Sequence, residues 1–226
     1  MTAIKDIRIS RSNIENIDGN SHPSTFSNWE LHIISHRIAM KLREYDFILG
    51  DFNHLYINLT TCCAENEIAP AKRSKDKIHK WYRYYDVGIS QELFDMLETP
   101  QSIQTVIDIV ERVLQKYFTA PQFDAEFIHS CVSEAVTQGE KMLMKFKEKK
   151  AAKNKAVIYL RLLDNGRYFP LLRVFDKEDN LIFEKDLPET HELDAYGEIR
   201  LSEKKITINP RKNYYARDLE PMTFIL

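Results

Sequence analysis

Glycine is scarce in this chain, with six residues in 226. No glycine-rich loop precedes a helical pattern, which removes the usual backbone cradle for phosphates, and no serine sits in G-x-S-x-G. Cysteine is scarcer still. The adjacent Cys62 and Cys63 with Cys131 make an odd count and no C-x-x-C spacing, which excludes a disulfide framework and a cysteine-based zinc site. A reducing cytoplasm is the expected setting. No apolar run approaches the roughly 18 residues that a membrane span requires, and the opening stretch MTAIKDIRIS has no apolar signal region. No membrane partner is expected. An excess of one charge is missing too: 32 basic against 34 acidic residues leave a net charge of −2, with no global pull toward nucleic acid or anionic lipid.

What is present describes a folded chain. Hydrophobic residues at 43% and charged residues at 29% supply a core and a solvated surface in ordinary proportion, so disorder is not expected. The length suits one large domain or two small ones. A short strand is expected over Ile4 to Ile9, followed by a polar loop through Asp18-Gly19 and His22-Pro23. A helix follows, with Ser27 as N-cap and Glu30 completing a capping box, and Leu31, Ile34, Ile38 and Leu42 on its buried stripe. Leu55, Ile57 and Leu59 then alternate with Tyr56, Asn58 and Thr60, which is the period of a strand with one buried face. A second strand alternates Trp81, Tyr85, Val87 and Ile89 with Tyr82 and Tyr84. Thr99-Pro100 opens a helix carrying Val106, Val110, Val113 and Leu114, and Pro121 opens another, long one that runs into KFKEKKAAKNK. From Ala156 onward the pattern is strand, with Asn165-Gly166 as a hairpin turn. The fold class is α+β: mixed strands and amphipathic helices to about residue 153, then an antiparallel β meander over 154–226.

Gly50-Asp51-Phe52-Asn53 resembles the GDFN motif of the endonuclease/exonuclease/phosphatase family. In that family the Asp and Asn lie at a strand end beside a divalent metal, so the resemblance implies a metal-dependent phosphodiesterase or nuclease. It covers four residues. The C-terminal Ser-Asp-His of that chemistry has no counterpart, since His191 is the only histidine after residue 129 and no Asp precedes it as the pattern requires. His32 and His36 stand one helical turn apart, and His54 or Asp51 would have to supply a further ligand for them to hold a metal. Ile33 occupies the position that a metalloprotease helix gives to its general-base Glu. The reading that follows is of a non-enzyme without cofactor or metal.

Charge is unevenly spread along the chain. Lys72 to Lys80 gathers five basic residues before Trp81, Tyr82, Tyr84 and Tyr85, so residues 72–85 are a candidate for single-stranded nucleic acid by phosphate contact and stacking. Lys141 to Lys155 gathers seven lysines, read as a solvated helix end. Asp176 to Asp194 holds eight acidic residues against Lys177 and Lys185, a local charge of −6. Such a rim steers a basic partner, with Glu178, Asp179, Glu189 and Glu192 as its charges and Tyr168, Phe169 and Tyr196 as neighbouring aromatic anchors. The expected class is an intracellular protein-binding module that recognises a basic protein. Its concrete form is a bacterial immunity protein or antitoxin that occludes a basic toxin.

Overall fold

The computed structural model describes residues 2–15, 28–71, 79–191 and 195–226. The chain divides into two compact units, Met1–Gly139 and Glu140–Leu226. Helices account for 30% and strands for 36%, in the α+β class.

The first unit is built on a four-stranded sheet. Its strands are β1 (Asp6–Ser12), β2 (His54–Thr60), β3 (Ile68–Pro70) and β4 (Tyr82–Gly88), in the order β1-β2-β4-β3. β1, β2 and β4 are parallel, and β3 closes one edge antiparallel to β4. Helix α1 (Trp29–Glu44) links β1 to β2, as a parallel connection demands. Asn28 is its N-cap, with Oδ1 accepting from the Leu31 amide. This corrects the expected Ser27 cap, which lies outside the described residues; Glu30 sits in the first turn, where its charge favours the positive helix end. The helix closes in a Schellman motif: the Phe47 amide donates to Leu42 O and the Asp46 amide to Arg43 O, with Asp46 at φ +57°.

After β4 come α2 (Gln91–Met96), a 3₁₀ turn (Pro100–Ser102), α3 (Ile103–Phe118) and α4 (Ala125–Gln138). The odd-numbered face of the sheet buries Ile7, Ile9, Leu55, Ile57, Leu59 and Val87. On that face Tyr85 meets the rings of Tyr117 and Phe118 from α3 at 4.8 and 5.6 Å. Leu31, Ile34, Ile38 and Leu42 of α1, Val106 to Leu114 of α3, and Ile128, Cys131 and Ala135 of α4 supply the helical share of the core. Each fully buried aliphatic side chain contributes about 1.5–3 kcal/mol.

Asp124 caps α4 through the Phe127 amide, and Gly139 ends the helix at φ +51°. The helix therefore does not continue into the lysines. Met144–Lys150 is strand β5, paired antiparallel with β6 (Lys155–Leu162), and residue 153 falls in the turn between them. β6 turns through Gly166, at φ +80°, into β7 (Tyr168–Phe175), which pairs with β8 (Leu181–Asp186). The remaining strands, β9 (Tyr196–Leu201), β10 (Lys205–Pro210) and β11 (Met222–Ile225), form a separate three-stranded antiparallel sheet. Both sheets of the second unit close over one core of Ile158, Leu172, Val174, Tyr196, Ile206 and Ile208.

Candidate recognition face

The parallel register places the even-numbered side chains of β1, β2 and β4 in rows on one face. These rows are Asp6, His54 and Tyr82; Arg8, Tyr56 and Tyr84; Ser10, Asn58 and Asp86; Ser12, Thr60 and Gly88. Parallel strands ordinarily read as apolar runs because both faces are buried. Here one face is polar. Leaving a buried polar group unpaired costs about 1–3 kcal/mol, so the partners decide whether the face is tolerable. Arg8 Nε donates to Asp6 Oδ2 at 2.6 Å and an Arg8 guanidinium N–H donates to the Tyr56 hydroxyl at 3.2 Å. Asn58 Nδ2 donates to Asp86 Oδ1 at 2.8 Å. Ser10 Oγ and Asn58 Oδ1 are buried with no partner among the described residues.

Aromatic rings connect the upper rows. His79 stacks on Tyr82 at 4.7 Å, Trp81 meets both of them edge-on, and Tyr82 lies 5.0 Å from His54 and 4.8 Å from Tyr56. Tyr56 continues to Tyr84 at 4.8 Å, with the Arg8 guanidinium over its ring. Trp81 is 44% exposed, so the cluster runs from solvent to the buried row of Ser10 and Asn58. Burial raises the Tyr56 phenol, which therefore stays protonated as a hydrogen-bonding group.

His54 is held in one tautomer. Asn53 Nδ2 donates to Thr2 Oγ1, which leaves Asn53 Oδ1 to accept from His54 Nδ1 at 2.6 Å and frees Nε2 as an acceptor. Burial, aided by Arg8, Lys5 and His36 and opposed by Asp6, pushes this imidazole down to about 4. Burial lowers His36 as well, although its Nδ1 stands 3.5 Å from Asp6.

The GDFN stretch braces this face from below. Gly50 turns at φ +117°, Asp51 accepts from Arg83 at 2.7 Å, and Phe52 is buried against Phe118 with Arg83 above its ring. Asp51 is thus tied to Arg83, whereas His36 and His54 both sense the carboxylate of Asp6. Among the described residues no group of three or more His, Cys, Asp or Glu is placed to hold a metal ion. Comparison with known proteins finds no matching family model, curated protein or solved structure.

The residues singled out in the second unit lie on different elements. Glu178 and Asp179 form the β7–β8 turn, and Asp179 pairs with Lys155. Arg161 pairs with Asp186, Arg173 with Glu184 at 2.7 Å, and Arg167 with Glu189 at 3.0 Å. The acidic run is thus largely neutralised by its own sheet. Glu192 lies outside the described residues. Tyr168 and Tyr196 are interior side chains, and the Tyr196 hydroxyl donates to Pro188 O at 2.7 Å, with burial raising its phenol to about 12. Phe169 is half-buried under the Arg161 guanidinium. Of the basic–aromatic stretch 72–85, residues 72–78 lie outside the described residues, and Trp81, Tyr82 and Tyr84 belong to the recognition face.

Sequence reasoning missed Asp6, Arg8, Ser10, Tyr56 and Asn58. Their only signal is the alternation D-I-R-I-S and H-L-Y-I-N-L-T, which a plainly solvated strand face would also produce.

Proposed function

We propose that this chain is a protein-binding module that acts by recognition, with the aromatic face of β1, β2 and β4 as its docking surface. The observation supporting it is the contiguous cluster of Trp81, Tyr82, Tyr56 and Arg8, the residue types that dominate binding energy at interfaces, graded from exposed to buried. His54, held neutral with Nε2 as its acceptor nitrogen, supplies a fixed acceptor there; an imidazole with so low a pKa is poorly matched to general-base work near neutrality. Nucleic-acid binding through residues 72–85 draws less support, because Arg8 and Arg83 already carry the carboxylates of Asp6 and Asp51.

The concrete form we propose is an immunity protein or antitoxin that occludes a basic toxin. It rests on the slightly acidic balance of the chain, 34 acidic against 32 basic residues. The test is affinity capture from the native host with the wild-type chain and with a Trp81→Ala/Tyr82→Ala variant of unchanged melting behaviour. A stoichiometric basic protein retained by the first and lost about 30-fold or more by the second is the expected outcome. Equal retention by both, or recovery of nucleic acid alone, refutes the reading.

A further inference from the structure

The end of the β9–β10 ribbon is flared. The register between the two strands shifts between Ile208 and Pro210, leaving Pro210 opposite Tyr196. Gly197 permits this, since a Cβ there would lie 2.9 Å from both Asn209 O and Pro210 O and 3.1 Å from Arg211 N. Beyond the flare the chain crosses to a short 3₁₀ turn, Tyr214–Ala216, capped by Asn213 Oδ1 accepting from the Ala216 amide. The space beside it is an open cavity of about 800 Å³.

Its wall is cationic. Arg200, Arg211, Lys212 and Arg217 line it together with Glu198. Arg200 meets Glu198 at 3.0 Å, but both side chains are largely exposed, so water screens the pair and an incoming anion competes with it readily. Arg217 lies over the Tyr214 ring at 4.3 Å and meets the exposed carboxylate of Asp218 at 3.4 Å, a second solvent-screened pair. Asn209 also belongs to this wall, with its Nδ2 shielded from solvent and without an acceptor among the described residues. Leu219 and Pro221 add an apolar side.

We infer that this cavity binds an oxyanion-bearing small molecule of about nucleotide size, its phosphate or carboxylate oxygens held by the arginines. Planar guanidinium forks match either group in a bidentate way, and the volume lies within the roughly 300–1,000 Å³ of small-molecule sites. The site is independent of the recognition face, which belongs to the other unit.

Calorimetric titration of the full chain with ATP, inorganic pyrophosphate and citrate, and with adenosine as uncharged control, tests it. Saturable one-to-one binding of at least one of the three anions is expected, weakening as salt rises and falling about tenfold or more in Arg200→Ala/Arg217→Ala. Preference for pyrophosphate and ATP over citrate identifies phosphate as the group; the reverse identifies carboxylate. Lys212→Ala serves the same purpose, with a smaller loss, if the double variant unfolds. Adenosine binding as tightly as ATP, no saturable anion binding up to millimolar concentrations, or affinity unchanged in folded variants overturns the assignment.

Discussion

At the scale of single residues, His54 shows how burial sets chemistry. Its folded pKa of about 4 lies below the ordinary value of 6.5, so the unfolded chain binds the proton more readily than the folded one. The neutral ring's contribution to stability is therefore complete above about pH 6.5 and is lost as pH falls toward 4. The full shift would correspond to about 3.4 kcal/mol, and the ring's partial contact with water reduces this to about 1–2 kcal/mol. His36 is shifted in the same direction, so the wild-type curve alone cannot isolate His54. Urea unfolding of wild type and His54→Gln at intervals from pH 7 to pH 4 checks it. The wild type should lose about 1–2 kcal/mol more than the variant across that interval, and parallel curves would mean that the ring is solvated in the folded chain.

At the scale of elements, Gly88 ends β4 where the loop after β2 crosses it. A Cβ at Gly88 would lie 1.8 Å from Ala64 O, and the Gly88 N–H and C=O are both used, by Glu67 O and the Asn66 amide. Gly88→Ala should cost about 3 kcal/mol or more because backbone, not a pliant side chain, must move; a melt within a degree or two of wild type would contradict this. Sequence could not show that constraint, because a glycine closing a strand looks the same whether or not another backbone lies against it. The hairpin at Asn165-Gly166 was legible, since the positive φ needed at Gly166 is a local requirement with few solutions. The buried stripe of α1 was legible for the same local reason. Strand β5 was not: Lys, Glu and Met favour helices in isolation, and only pairing with β6 makes MKFKEKK a strand. Similarly, alternation gave β1, β2 and β4 their period, but whether the even-numbered face meets water or forms a site depends on register between strands far apart in sequence.

At the scale of the whole molecule, net charge conceals wiring. Four of the six acidic residues of 176–191 pair with Lys155, Arg161, Arg167 and Arg173, so long-range steering by this segment is weaker than its sequence charge implies. Exposed pairs of this kind contribute about 0–1 kcal/mol each, so the second unit must draw its stability from its core. That core is self-contained: Ala156, Ile158, Leu172, Val174, Leu187, Ala195, Tyr196, Ile199, Ile206 and Ile208 all belong to residues 140–226, and every strand of its two sheets finds a partner within the same span. A unit of this size with its own core and satisfied ladders has what it needs to fold alone. Residues 140–226 expressed separately should therefore give a β-rich circular dichroism spectrum and one cooperative, concentration-independent melt. Leu172→Ala, which removes a fully buried side chain between β6 and β8, supplies the sharper check, with an expected loss of about 2–5 kcal/mol. If the core is autonomous, that loss is the same in the fragment as in the transition assigned to this unit in the full chain. A fragment that is unfolded, or one that tolerates Leu172→Ala with less than about 1 kcal/mol of loss, would mean that residues 140–226 depend on the rest of the chain for their packing.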